Sequence, residues 1–437
     1  MAVIAPFKGV VYKRGAGSSL IDDLAPPYDV IPPETQDQLY EKSDRNVIRL
    51  ILGKEFSDDN DANSRYTRAE GFLRDWMQDG TLERIEHESV YLYSQEYEID
   101  NKRLKRVGII CRTKIEEFGK SIFPHERTLS GPKTDRLNLT RACRMNFSQV
   151  FGIYSDPKLT LDAIWEGIMK SAADMDVTDE NGVKHRLWVI SDPEVIERAR
   201  LFFLETQIVI ADGHHRYETA LNYRNERRAQ EGSQNSEAGY EHVMMFLSNC
   251  CGDGFTVLPT HRIVKDIGAL DIDSAVEKLK SDFKIDERSV DGNLVPRFLS
   301  DLKKSGDQNP SLGLYRGDGR MLLLSLKKEA ALPNPPGSEK AAILRRLDVI
   351  LLQELVFEKA LGISKEAVAD KKIVGYTIDA ESAMRQVDEG TARLSFIMNP
   401  TRMDQVIEVA TSGGVMPQKS TYFYPKLISG LVFNPLE

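Results

Sequence analysis

Few local patterns constrain a chain as tightly as a buried-type apolar run that breaks at Asp-Gly, passes through His-His-Arg and restarts as a helix. Residues 208–221 read Ile-Val-Ile-Ala-Asp212-Gly213-His214-His215-Arg216-Tyr217-Glu-Thr-Ala-Leu. The apolar run over 207–211 predicts a strand, and Tyr217, Ala220, Leu221 and Tyr223 fall at helical spacing. Gly213 lets the backbone come close to a ligand. The helix start offers unpaired N–H groups and a positive partial charge. His214, His215 and Arg216 add side-chain donors, so the constellation suits phosphate oxygens, with Asp212 placed to hold a metal or orient a histidine. Two other readings stay open. One is an Asp cap with two satisfied histidines. The other is a zinc site from Asp212, His214, His215 and His261, although neither HxH nor HExxH spacing is present.

The rest of the chain gives this turn a mixed setting. Residues 90–97 and 106–113 read as a hairpin joined at Asp100-Asn101. Strands are expected at 46–52, 187–190, 242–248 and 256–264. Helices are expected after Pro33, over 64–80 with Gly80 past the end, and from Asp192 to Phe203. Residues 119–150 carry few strand or helix signals and read as a long irregular, functional segment. From about 266 onward helices (274–283, 294–304, 341–361, 381–389, 402–411) alternate with strands (312–315, 321–326, 373–377, 392–398). The fold class is therefore α+β, with a mixed sheet. A length of 437 residues fits two or three domains, divided here into 1–264 and 265–437.

Charge narrows the partners. With 58 basic and 67 acidic residues the net charge is −9, which disfavours a nucleic-acid coat but leaves room for a local basic pocket. The richest apolar stretch, 347–361, contains Asp348, Glu354, Glu358 and Lys359, so it is a core helix and not a membrane span. The first eight residues lack the basic start and long apolar core of an export signal. Cys111, Cys143, Cys250 and Cys251 show no CxxC or zinc spacing, and the Cys250-Cys251 pair reads as buried side chains. The expected home is cytoplasmic, with no membrane and no nucleic acid as partners.

Four further strings carry chemistry. In Pro124-His125-Glu126-Arg127-Thr128, Glu126 stands in a loop among basic residues, where a carboxylate accepts a proton from a substrate hydroxyl; a solvated loop with a surface ion pair is the plain alternative. Lys419-Ser420-Thr421 offers one charge and two hydroxyls to phosphate without Walker A spacing, or is an ordinary loop. His261-Arg262 ends a strand and reads as structural or substrate-binding. Tyr28-Asp29, after Pro26-Pro27, reads as a pocket wall or as a rigid turn.

Together these residues resemble the free-serine-kinase branch of the ParB/sulfiredoxin-like fold. That branch has an Asp-Gly-His-His-Arg turn, an upstream Pro-His-Glu and a C-terminal Pro/Lys/Thr/Thr-type loop, in the order seen here. The whole chain also resembles the prokaryotic domain-of-unknown-function family 1015. The strings that carry this are Pro-Pro-Tyr-Asp-Val (26–30), Pro-His-Glu (124–126), Ala-Asp-Gly-His-His-Arg-Tyr (211–217), Leu-Pro-Thr-His-Arg (258–262) and Met-Pro-Gln-Lys-Ser-Thr-Tyr-Phe-Tyr-Pro-Lys (416–426).

The resemblance implies a ParB/sulfiredoxin-like catalytic core with an inserted hairpin. It also implies a C-terminal α/β domain whose last loop returns to the active site. The implied activity is phosphoryl transfer to a small-molecule hydroxyl, with free L-serine as acceptor and O-phosphoserine as product. The donor is ATP, ADP or pyrophosphate, with Mg²⁺ as cofactor. Glu126 is the implied base, and His215 is catalytic with it. Gly213, His214, His215, Arg216, Lys419, Ser420 and Thr421 bind phosphate. His125, Tyr28, Asp29, His261 and Arg262 line the substrate, and Asp212 is a metal ligand. Two departures stand out: about 85 residues separate Glu126 from the turn, and Tyr422-Phe423 replace an Arg-His pair. The competing functions are a nucleotide-binding regulatory module of ParB-like type and a metal-dependent hydrolase built on His214 and His215. A homodimer is an open assembly.

Overall fold

The hairpin expected around Asp100-Asn101 is the backbone of the first sheet. Val90–Ile99 and Lys102–Lys114 pair antiparallel from Tyr91–Ile110 to Ile99–Lys102. Asp100 and Asn101 take φ values of 50° and 58°, the left-handed pair that a two-residue hairpin turn requires. The computed structural model describes residues 2–13, 19–127, 130–232, 235–265, 268, 271–289, 294–317, 319–369 and 373–437. Thr128, part of the Pro-His-Glu string, lies outside them. Contacts divide the chain into two units: Met1–Pro124, Thr128–Thr256 and Pro425–Glu437 form one, and His125–Arg127 with Val257–Tyr424 the other.

The first unit is built on a nine-stranded sheet. Its order runs Ile122–Phe123, Ile208–Asp212, Val150–Tyr154, His242–Asn249, Lys102–Lys114, Val90–Ile99, Lys184–Ile190 and Met175–Thr178, with Ile4–Ala5 added on Lys102–Lys114. Side chains two apart share a face. Val90 and Leu92, Ile109 and Cys111, Ile208 and Ile210, and Val243, Met245 and Leu247 therefore join one core cluster with Trp165, Phe203 and Tyr217. His242–Asn249 is buried at every position, the mark of a strand covered on both faces. Pro193–Phe203 begins where Asp192 accepts a bond from the Glu194 N–H.

Three expectations fail in this unit. Residues 46–52 do not form a strand: Ile48–Ile51 is a helical turn. The Asn46 side chain accepts from the Ile48 N–H and donates to the Asp22 and Leu24 carbonyls, and this local capping wins over an apolar run that fits either state. Residues 119–150 are not irregular throughout, since Ser130–Cys143 is a helix. It joins its neighbours through ion pairs, Lys133 with Glu218, Arg141 with Glu226 and Asp135 with Arg65, and its buried face mixes Leu139 and Cys143 with the polar Arg136 and Thr140. Cys250 is half-buried and Cys251 exposed, which corrects the reading of both as buried.

The second unit carries a six-stranded antiparallel sheet in the order Phe283–Ser289, Arg320–Leu326, Ser311–Tyr315, Leu394–Met398, His261–Val264, Val374–Thr377. Helices Leu294–Gln308 and Ala380–Asp388 cover a core of Ile263, Phe298, Leu302, Met321, Leu323, Met384 and Ile397. The helix expected over 341–361 is broken. A 3₁₀ turn, Ala342–Arg346, precedes an α turn at Asp348–Leu351 and a π-helix over Leu352–Leu361, because Leu347 is extended (ψ 132°). The described residues thus form a mixed α and β protein. Among them no helix is long and apolar enough to cross a membrane.

Candidate functional site

In the first unit Asp212 is the last paired residue of its strand, opposite Phe151. Ile208–Asp212 pairs parallel with Ile122–Phe123 and antiparallel with Val150–Tyr154, and the register slips between Ile210 and Asp212. Such a slip re-aims a side chain. Gly213 follows at φ 90° and caps the helix His214–Glu231, a left-handed geometry that favours glycine. The Arg216 guanidinium lies over Gly213, 2.9 Å from where a Cβ would stand. The expected five-residue turn is therefore shorter, and His214, His215 and Arg216 form the first helical turn.

Asp212 is held by two cations. Its Oδ2 accepts from Arg216 at 2.7 Å and its Oδ1 from Lys426 at 2.7 Å. Arg216 also donates to the Gln149 carbonyl. Behind them Arg106 is fully buried, bonded to Gln95 Oε1 and the Pro425 carbonyl and lying 4.8 Å from the centre of the Phe151 ring. Burial pushes its guanidinium down to about 10, and the charge of Asp212 acts in the other direction. Three basic groups thus surround one carboxylate beside a helix N-terminus, which leaves an excess of positive charge there. Tyr217 fixes the helix: its hydroxyl donates to the Glu116 carbonyl and accepts from the Glu116 N–H. Tyr28, half-buried, stacks under Arg136 at 4.0 Å. Burial raises its hydroxyl above the usual range while Arg136 and Arg216 lower it. Asp29 is exposed.

In the second unit Pro-His-Glu and Lys-Ser-Thr come together. The His125 carbonyl accepts from the Met416 N–H at 2.7 Å, the Arg127 N–H donates to the Met416 carbonyl, and Glu126 bridges Met416 in parallel register. The His125 ring, with no exposure, makes a 2.9 Å hydrogen bond between Nε2 and Thr421 Oγ1 and meets Phe423 edge-on. Arg262 donates to the Lys419 carbonyl at 3.0 Å and lies 5.2 Å from the centre of the Tyr376 ring. Burial lowers the Arg262 guanidinium, and the charges of Tyr376 and Glu126 offset this. Lys419 is exposed at φ 58°, a conformation that costs a lysine energy and is kept only where the surroundings impose it.

The family model for "Protein of unknown function (DUF1015)" matches residues 4–350. The chain belongs to the DUF1015 family. No curated protein matches it by sequence. Among solved structures it is similar to a conserved hypothetical protein from Pyrococcus furiosus, at 12% identity and TM-score 0.33 over 73% of this chain and 92% of that one. It is also similar to a free serine kinase in complex with AMP, at 12% identity and TM-score 0.34 over 72% and 86%. A third is SbnI with C-terminal truncation from Staphylococcus aureus, at 10% identity and TM-score 0.36 over 75% and 87%.

Several expected roles change in this DUF1015 chain. His125, expected against substrate, is buried against Thr421 and Phe423, which ties its ring to the Lys419–Thr421 loop. The Ser420 hydroxyl is buried and donates to the Pro417 carbonyl at 2.7 Å, so its proton is spent inside the loop. Among the described residues no group of three or more His, Cys, Asp and Glu is placed to hold a metal ion. Asp212, expected as a metal ligand, has both oxygens bonded to cations. Sequence reasoning does not single out Lys426, Gln149 or Arg106; Lys426 bonds Asp212, the Gln149 carbonyl accepts from Arg216, and Arg106 lies within the electrostatic reach of Asp212.

His261, also expected against substrate, is buried in the sheet of the second unit. Only 1% exposed, its Nδ1 accepts from the Met398 N–H at 3.0 Å. Burial, then the Arg262 charge, push its imidazole down to about 4. An unfolded histidine titrates near 6.5, so the folded state excludes the proton. The stability it contributes is complete above about pH 6.5 and is lost as pH falls toward 4. Asp348, in the same unit, has a carboxyl raised to about 7 by burial, and its slope runs the opposite way. The readable quantity is therefore a difference. From pH 7.5 to 5 the parent is expected to lose about 2 kcal/mol more than His261→Gln in urea unfolding; parallel pH profiles contradict this account of His261.

Proposed function

We propose that the chain is a phosphotransferase that moves a phosphoryl group from a nucleotide or pyrophosphate to the hydroxyl of a small molecule, with free L-serine as first acceptor. The observation that carries this is the turn after Ile208–Asp212, where a left-handed glycine opens a helix beside Arg216, Lys426 and Arg106. Such a place favours an anion with several oxygens. The resemblance of the three strings to free serine kinases supports the acceptor and the ParB/sulfiredoxin-like core.

In this reading Gly213 and the first N–H groups of the helix, with His214, His215 and Arg216, hold the donor phosphates. Lys419 adds charge from an exposed position. Glu126 accepts the hydroxyl proton as the substrate oxygen forms its bond to phosphorus. The P–O bond to the rest of the donor breaks, and that leaving oxygen takes the electron pair. The chain's work is positioning and charge stabilisation, which is most of what phosphoryl transfer needs.

Donor binding tests the phosphate half. Arg216→Lys keeps the charge but loses the planar fork that reaches Asp212 and the Gln149 carbonyl. ADP or pyrophosphate binding, followed by calorimetry, is expected to weaken about tenfold or more. Equal affinity in parent and variant removes Arg216 from the phosphate site.

A further inference from the structure

The second unit contains a cavity of about 630 Å³ that none of the roles above uses. Its volume is that of a site for a small organic molecule. The helix Leu294–Gln308, the 3₁₀ turn Ala342–Arg346 and the chain after Leu394–Met398 enclose it. Leu299, Leu302, Leu347 and Met398 supply apolar walls. The polar part of the lining includes Asp348 and Asn399 beside Lys303, Asp307, Gln308 and Gln405; Asn399 Nδ2 lies 3.5 Å from Asp348 Oδ2 and within bonding range of the Leu302 and Ser311 carbonyls. Gly306 is needed for this, since a Cβ there would stand 2.4 Å from Asn399 Nδ2. Arg346 and Arg402, both exposed, add positive charge to the lining; Arg402 is paired with Asp404 at 3.2 Å, and Asp307 adds one exposed carboxylate. The cavity is therefore chemically graded, with apolar sides, a hydrogen-bond acceptor and exposed cations.

We propose that this cavity is a second small-molecule site, built for an amphipathic organic anion: an apolar or aromatic body, one N–H or O–H donor for Asp348, and an anionic head for Arg346 and Arg402. Its occupant is positioned to act on the Lys419–Thr421 loop. Thr401, in the cavity wall, donates from Oγ1 to the Ser420 carbonyl at 2.8 Å. Met398, also in the wall, donates its N–H to His261, the neighbour of the arginine that holds the Lys419 carbonyl. A ligand that orders the wall orders that loop through these two bonds. The site rests on the cavity alone and stands whether or not the chain transfers phosphate.

The probe is 8-anilinonaphthalene-1-sulfonate, which carries an aromatic body, one N–H donor and one anionic head. Titrated into the full chain and followed by its fluorescence, it is expected to bind saturably at one site. The double variant Arg346→Glu, Arg402→Glu changes exposed side chains and is expected to raise the dissociation constant at least tenfold. Asp348→Ala, which removes the acceptor, is expected to weaken binding as well. Hydrogen exchange with bound probe is expected to slow over 298–308 and 398–405, and also over 417–421. Thr401→Val is expected to abolish the slowing over 417–421 while leaving it over 298–308. Affinity unchanged in the double variant, or slowing confined to segments outside the cavity, overturns the site. Slowing over 298–308 without any over 417–421 in the parent overturns the link to the loop.

Discussion

Glu126→Gln is expected to lose turnover by about 10²- to 10⁴-fold while binding the donor as the parent does. The amide keeps the size and the hydrogen-bonding reach of the carboxylate but does not accept the substrate proton. Its backbone is fixed independently of the side chain, by the parallel bridge to Met416 and the flanking bonds of His125 and Arg127, so the loop keeps its course. Arg262 and Tyr376 lie within the electrostatic reach of Glu126, and both remain. A fall in the chemical step with unchanged ADP affinity is the signature of a base. Full turnover in the variant removes Glu126 from the chemistry, and a parallel loss of donor affinity moves it to binding.

Asp212→Asn is expected to cost about 2–3 kcal/mol in urea unfolding. The carboxylate answers both Arg216 and Lys426, whose side chains are only 11% and 15% exposed, and it offsets the charge of buried Arg106. Removing it leaves basic groups close together with little water to screen them. Partial exposure keeps the cost below that of breaking a fully buried pair. The comparison is Glu226→Gln, which breaks the pair with Arg141, whose partners are 34% and 48% exposed; there the change is expected within about 0.5 kcal/mol. Equal, small effects of the two substitutions contradict the positioning role given to Asp212.

What the sequence shows of the fold is what local patterns carry. The hairpin turn at Asp100-Asn101, the helix after Asp192 and the alternating elements after residue 270 are set by neighbours a few positions apart. The helix Ser130–Cys143 is hard to read locally because its buried face mixes Leu139 and Cys143 with Arg136 and Thr140, and its ion pairs lie on other helices. The turn at Gly213 was legible, since strand, glycine and helix follow one another in the chain. Its support was not. Lys426 stands in a string that was read for Lys419-Ser420-Thr421, but its partner Asp212 is 214 positions away. Arg106 lies in a strand, where nothing local marks it as buried against Gln95 and the Pro425 carbonyl. His125 and Ser420 are legible as polar residues in loop strings, yet they bond Thr421 and the Pro417 carbonyl within the protein, which only tertiary pairing reveals.

The most direct measurement is phosphorus NMR of the full chain with L-serine, Mg²⁺ in the buffer, and ATP, ADP or pyrophosphate in parallel samples. The account expects a new phosphomonoester resonance with at least one donor, absent from the Glu126→Gln sample under the same conditions. No phosphoserine from any donor with a folded chain contradicts serine as acceptor. The same resonance from the Glu126→Gln sample contradicts the mechanism.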